Sequence, residues 1–220
     1  MGSFFTIRGM GESMEEKEML ETGKDKKQGK AKEITAKQYR KLFLFLSFFV
    51  PLEMMLMVFA RSIVYPFGDE CLLNSDLYHQ YFPFFQEFVN KIRAGEGIFY
   101  SWNMAMGMNF YVVYAYYLAS PLNWLAFLFP NEYLLEFVSY LVVFKVGLAG
   151  LTSYLFFVNR SREKDSVRAG YFALLFSFCY AMSGYVAAYV INIMWSDDNA
   201  IYPHDINHIC SNISTHCITK

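Results

Sequence analysis

A chain of 220 residues that is 55% hydrophobic and 20% aromatic, with only 18% charged residues, carries more apolar surface than a water-soluble domain of this size can hide. The charge is uneven as well: ten of the 19 Lys and Arg fall in residues 1–41, which makes the remainder more apolar than the mean. The net charge of −1, with Glu15, Glu16, Glu18, Glu21 and Asp25 interleaved in the basic run, excludes a nucleic-acid binder, which needs a basic surface, and the composition excludes a disordered chain, collagen and a small disulfide scaffold.

What is left is an all-α integral membrane protein. Residues 1–41 read as a basic cytoplasmic tail that also favours anionic lipids. Leu42 to Ala60 follows as nineteen residues interrupted only by Pro51 and Glu53, about 28 Å of helix at 1.5 Å per residue, enough for one crossing. The first transmembrane helix is therefore placed at 42–64. It is no signal peptide, because a polar stretch of forty residues precedes it and no small-residue cleavage site follows.

Residues 65–133 form an extracytoplasmic loop. Within it Asn74 or Ser75 can cap a helix with Asp76 in its first turn, Lys91 and Arg93 in its last turn and Gly95 as its stop. Leu77, Tyr81, Phe84, Phe85, Phe88 and Ile92 fall on one face of that helix at three- and four-residue spacing, so it should lie on the outer leaflet or cover a cavity beneath it. Phe110 to Phe129 is hydrophobic enough to suggest another crossing, but its tyrosines, Pro121 and Asn123 suit an interface. Interfacial or re-entrant helices broken at Ser120-Pro121 are expected there.

Further spans are placed at 134–158 and 169–191, joined by a linker at 159–168 dense in Arg160, Arg162, Lys164 and Arg168. Both basic clusters must face the cytoplasm, and three crossings satisfy that rule. The outer loop then holds only Lys91 and Arg93 as basic residues. Residues 192–220 read as a polar tail with no helical period and no further span.

The segments SDLYHQYFPFFQEF, FYSWNMAMGMNF, YAYYLASPLNWL and FKVGLAGLTSYLFF, in this order, resemble the N-terminal part of the bacterial YfhO family of polytopic membrane proteins, from about Pro66 to about Trp195. The resemblance implies a GT-C-like fold: a multi-helix membrane glycosyltransferase whose first outer loop holds interfacial helices and an acidic catalytic residue. Its members are proposed to move a sugar from a polyprenyl-phosphate carrier to an extracytoplasmic cell-envelope polymer such as lipoteichoic acid. Full-length members are several times longer, with many more spans. The change of character after INIMWSDD reads as a truncated product ending in a shifted frame, and three spans should be too few to enclose a lipid-linked sugar, so the chain alone is expected to be inactive.

Transfer of this kind needs an acceptor hydroxyl deprotonated as it attacks the anomeric carbon, and a carboxylate can serve as that base. Of Asp69, Glu70 and Asp76, only Asp76 lies inside the matching DLYHQY motif; the plainer alternative is that it caps its helix. Gln80 and Tyr81 can orient a sugar or acceptor, as can Trp102 with Asn103, although Tyr and Trp are also ordinary interface residues. His79 reads more simply as a solvated surface histidine. Lys145, inside the second span beside Gly147-Leu148-Ala149-Gly150, must find a partner because a charge in lipid is costly. Glu53 is the expected partner, and a phosphate in a buried cavity the alternative.

Cys71, Cys179, Cys210 and Cys217 contain no C-x-x-C pair, and no disulfide is expected. His204, His208, Cys210, His216 and Cys217 crowd the tail but lack a second framing pair, a weak zinc signal. A divalent cation at Asp69, Glu70 or Asp76 is compatible with the resemblance, since some GT-C enzymes use one, although nothing in the spacing demands it. Two other classes stay open: a transporter or permease component with Lys145 and Glu53 along its path, and a non-catalytic membrane scaffold.

Overall fold

The computed structural model describes residues 38–64, 67, 68, 70, 72, 73, 75–161, 166–189 and 192–218, with the last helix described by its backbone alone at 204 and from 207 onward. Most of the basic tail, Asp69, Cys71, Asn74, the centre of the 159–168 linker and the side chains of His204, His208, Cys210, His216 and Cys217 lie outside the described residues.

The described α-helices are α1 (Gln38–Arg61), α2 (Phe82–Arg93), α3 (Phe110–Val113), α4 (Leu134–Arg160), α5 (Val167–Ala181), α6 (Gly184–Tyr189) and α7 (Ile193–Ile218). Three stretches are long and apolar enough to cross a membrane: Gln38–Arg61, Asn131–Arg160 and Val167–Tyr189. The second is the centre of the fold. Of its apolar window 61% is buried, against 28% and 22% for the other two, because α4 packs against α5 and α7 and receives α1 as well.

Helix α1 buries a narrow stripe of every fourth residue, Phe43, Ser47, Pro51, Met55 and Phe59, as expected of a helix with one protein-facing edge and lipid elsewhere. Proline at the centre of that stripe removes a backbone donor, which a span tolerates when packed on a neighbour. The stripe meets the small residues of α4. A Cβ on Gly150 would fall on the Ser47 carbonyl oxygen and lie 2.9 Å from Pro51 Cγ, and one on Gly147 would lie 3.1 Å from Phe48 Cε2. Near the other end of the stripe, Phe43 packs with Tyr154, Val158 and Ala173. The start of α1, the end of α4 and the start of α5 thus share one end of the bundle.

The third span departs from the single helix expected over 169–191. It breaks at Met182-Ser183, where the Ser183 hydroxyl accepts a hydrogen bond from the Val186 amide at 3.4 Å and so caps α6. The tail departs further: α7 is a 26-residue helix packed along α4. Its polar residues hid the helical pattern from a reading by hydropathy, and it is not among the three apolar stretches.

Between α1 and α4 the chain is folded and not purely helical. A π-helical turn, Leu77–Tyr81, leads into α2, whose first turn carries Pro83. Asp76 occupies the cap position in place of Asn74 or Ser75, while Ser75 has φ +48°. The segment read as FYSWNMAMGMNF holds an antiparallel hairpin of β1 (Tyr100–Ser101) and β2 (Met108–Asn109), with Tyr100 opposite Asn109. Aromatic residues favour extended pairing, and Gly107, at φ +94°, supplies the backbone twist near its turn. Next, α3 continues as a π-helical stretch, Tyr114–Leu118, and after Ala119-Ser120 a 3-10 helix, Pro121–Leu128, begins. The Asn123 amide donates to the Leu118 carbonyl at 3.2 Å across that break.

The apolar face of α2 rests on protein. Phe85 stacks on Phe137 of α4 with ring centroids 5.8 Å apart, and Phe88 meets Trp124 and Phe127 of the 3-10 helix. At its far end Arg93 donates to Asn131 Oδ1 and to the Phe129 carbonyl, which ties α2 to the entrance of α4.

Candidate functional site

The predicted site residues separate into three groups. The first surrounds Asp76. Its residue is exposed, and the helix it precedes takes no capping hydrogen bond from its side chain. Gln80 and Tyr81 stand one turn further along, where Gln80 Oε1 accepts a hydrogen bond from the Tyr117 hydroxyl at 3.2 Å. Tyr81 is buried with its ring edge-on to Tyr117, centroids 5.3 Å apart. Burial pushes its phenol up to about 12, and the neighbouring Tyr117, Asp76 and Tyr116 add to the shift. An exposed acid therefore lies near a cluster of an amide and phenols whose Tyr81 is buried. Tyr117 was not singled out from sequence; the run YAYYL gives no sign of which tyrosine turns toward α2.

The second group is the hairpin. Glu87, on α2, is buried and accepts from Ser101 Oγ at 2.6 Å and from Asn103 Nδ2 at 3.2–3.3 Å. Ser101 Oγ also accepts from the Asn103 amide at 3.1 Å. Asn103 is thus committed to holding the hairpin on α2, whereas Trp102 beside it keeps 78% of its surface exposed. Glu87 was missed because a Glu in the middle of an amphipathic helix reads as part of its solvated face; only its place on the buried side distinguishes it.

The third group lies at membrane depth. Lys145 is 1% exposed, and its partner is Asp197 of α7, at 2.8 Å, not Glu53. Its Nζ also donates to the Ile193 carbonyl at 2.8 Å. The other Asp197 oxygen accepts from Ser120 Oγ at 3.0 Å, so one ion pair joins α4, α7 and the break before the 3-10 helix. Glu53 stands two residues from Pro51, about 200° around the helix, on the exposed side of α1. Burial of a charge without a partner is prohibitive, and an acid flanked by Trp195 and Ser196 just after a span was the available signal.

Among the described residues no group of three or more His, Cys, Asp or Glu is placed to hold a metal ion. The cavities between the helices are mostly apolar. One of about 460 Å³ opens between α1, α4 and the 3-10 helix, lined by Leu52, Leu128, Phe137 and Phe144 among others.

A helical bundle with three apolar crossings, a central small-residue helix and a structured segment inserted after the first crossing is a multi-pass membrane protein. The family model described as bacterial membrane protein YfhO matches residues 47–203. The chain belongs to that family. The match begins within α1 and ends at Pro203 of α7, so the Lys145–Asp197 pair lies wholly inside it and the family pattern continues past Trp195. Neither the curated proteins nor the solved structures contain a match to the chain.

Proposed function

We propose that this chain forms the outer-face, N-terminal part of a GT-C-type membrane glycosyltransferase that takes a sugar from a polyprenyl-phosphate carrier and delivers it to a cell-envelope polymer such as lipoteichoic acid. The reading places the Gln38 end of α1 in the cytoplasm, because Arg40, Lys41, Arg160 and Arg168, the described members of the two basic clusters, lie at the helix ends that share that end of the bundle. The segment between α1 and α4 then faces the exterior. The observation that carries the proposal is the exposed Asp76, uncommitted to capping, beside the cluster of Gln80, Tyr81 and Tyr117.

In the proposed reaction the acceptor hydroxyl gives its proton to Asp76 as its oxygen bonds to the anomeric carbon. The bond from that carbon to the phosphate oxygen breaks, and the polyprenyl phosphate leaves with the electron pair. Gln80 and the tyrosine cluster orient sugar or acceptor, and the exposed Trp102 offers a stacking face. Lys145 and Asn103, already engaged, are assigned to structure. The cavity between α1, α4 and the 3-10 helix is lined almost wholly by apolar side chains, so the polar enclosure that a sugar phosphate requires is assigned to further partner helices, and the isolated chain should be inactive.

A second reading rests on the Lys145–Asp197 pair, since paired charges at membrane depth also mark solute paths. The envelope glycan profile of cells carrying the full-length gene separates the two. Asp76→Asn should abolish the sugar modification and leave solute uptake intact under the first reading; an unchanged glycan profile would remove Asp76 from the chemistry.

A further inference from the structure

At the end of the bundle away from Asp76, the exit of α4 and the entry of α5 frame a cavity of about 510 Å³. Arg160, from the last turn of α4, and Arg168, from the first turn of α5, both line it, together with Ser161 and Ser166. Its apolar side is aromatic and open: Phe157 and Phe176 pack with ring centroids 5.7 Å apart, and Phe172 completes it, with Phe172 and Phe176 exposed. The cavity is therefore lined by two cationic forks and by an exposed apolar side at the end of the spans. The first turn of α5 adds the positive end of its dipole to the same cavity. In the sequence around it, residues 159–168 hold four basic residues against two acidic ones.

We infer that this cavity binds an anionic phospholipid of the adjacent leaflet, with the phosphate between the guanidinium groups of Arg160 and Arg168 and an acyl chain against Phe157, Phe172 and Phe176. Charge complementarity selects the head group. A guanidinium presents two parallel donors to phosphate oxygens, and two of them favour a head group with no compensating cation. The aromatic wall selects a ligand that carries a hydrocarbon chain, which a soluble phosphate ester lacks. The site is independent of the transfer chemistry proposed for Asp76, which lies at the opposite end of the spans.

The test uses the whole 220-residue chain in detergent micelles doped with phosphatidylglycerol or phosphatidylcholine, read by native mass spectrometry. The expected result is at least about tenfold greater retention of phosphatidylglycerol, lost in Arg160→Gln/Arg168→Gln and largely kept in Arg160→Lys/Arg168→Lys. Arg61→Gln, at the other end of α1, should change nothing. On the unaltered protein the preference should also fall as salt is raised, because partly exposed charges are screened, which gives a readout that needs no variant to fold. Equal retention of the two lipids, a preference insensitive to both the glutamine pair and salt, or displacement by glycerol phosphate at equal concentration would each overturn the assignment.

Discussion

The turn around Asp76 and the cluster around Lys145 put charge to opposite uses. Inside the bundle the buried charge is consumed by its neighbours: Lys145 spends its donors on Asp197 and the Ile193 carbonyl, and Asp197 takes a further bond from Ser120. In the segment between α1 and α4, Asp76 stays exposed and contributes no cap to the helix it precedes. A charge buried between helices has to be paired before they can pack there. An acid at the water boundary is under no such demand, so its presence is free to serve chemistry. Glu87 stands between the two cases, outside the apolar stretches yet buried and held by Ser101 and Asn103.

The comparison breaks if exchanging the two roles has no cost. Its largest expected effect is on the proposed sugar transfer in cells: Asp76→Asn should lower it by about 100- to 10,000-fold, the usual contribution of a general base, with thermal stability of the purified protein unchanged. Lys145→Met should do the reverse. Stranding Asp197 should cost about 3–5 kcal/mol, read as a lower unfolding midpoint, and Lys145→Met/Asp197→Leu should recover much of it. Glu87→Ala should cost about 1–3 kcal/mol through the unsatisfied Ser101 and Asn103 groups, visible as faster proteolysis at the hairpin.

The finest test concerns the Tyr81 phenol. Because its pKa is raised in the folded protein to about 12, the stabilisation it contributes is complete below pH 10 and is lost as pH climbs toward 12. Spectrophotometric titration of the unaltered chain against Tyr81→Phe should show that the phenol removed is one that ionises late. Asp76→Asn removes one of the negative neighbours and should lower that pKa; an unmoved titration would separate Asp76 from the tyrosine cluster.

The apolar spans were legible because length and hydropathy depend on composition, which Leu42 to Ala60 carries in its own residues. The close approach at Gly147 and Gly150 was legible for a similar reason: only small side chains leave room for a second helix. Rotation about a helix axis was not. Pairing Lys145 with Glu53 required knowing which side of α1 faces α4, and the buried stripe at Phe43, Ser47 and Pro51 points Glu53 away. The partner lay in α7, where three aspartates and a proline obscure a helix that owes its place to packing on α4. The hairpin escaped for want of length, since two-residue strands carry no periodicity. At the candidate site, Asp76, Gln80 and Tyr81 could be named from their motif, whereas Tyr117 joins them only through tertiary contact.

The bond from Ser120 to Asp197 has a mechanical consequence. It latches the break at the head of the 3-10 helix onto the ion pair below, and a hydrogen bond to a charged group contributes about 1.5–3 kcal/mol. Any swing of the Pro121–Leu128 segment must stretch that latch first, so a load applied to it is felt by both α4 and α7.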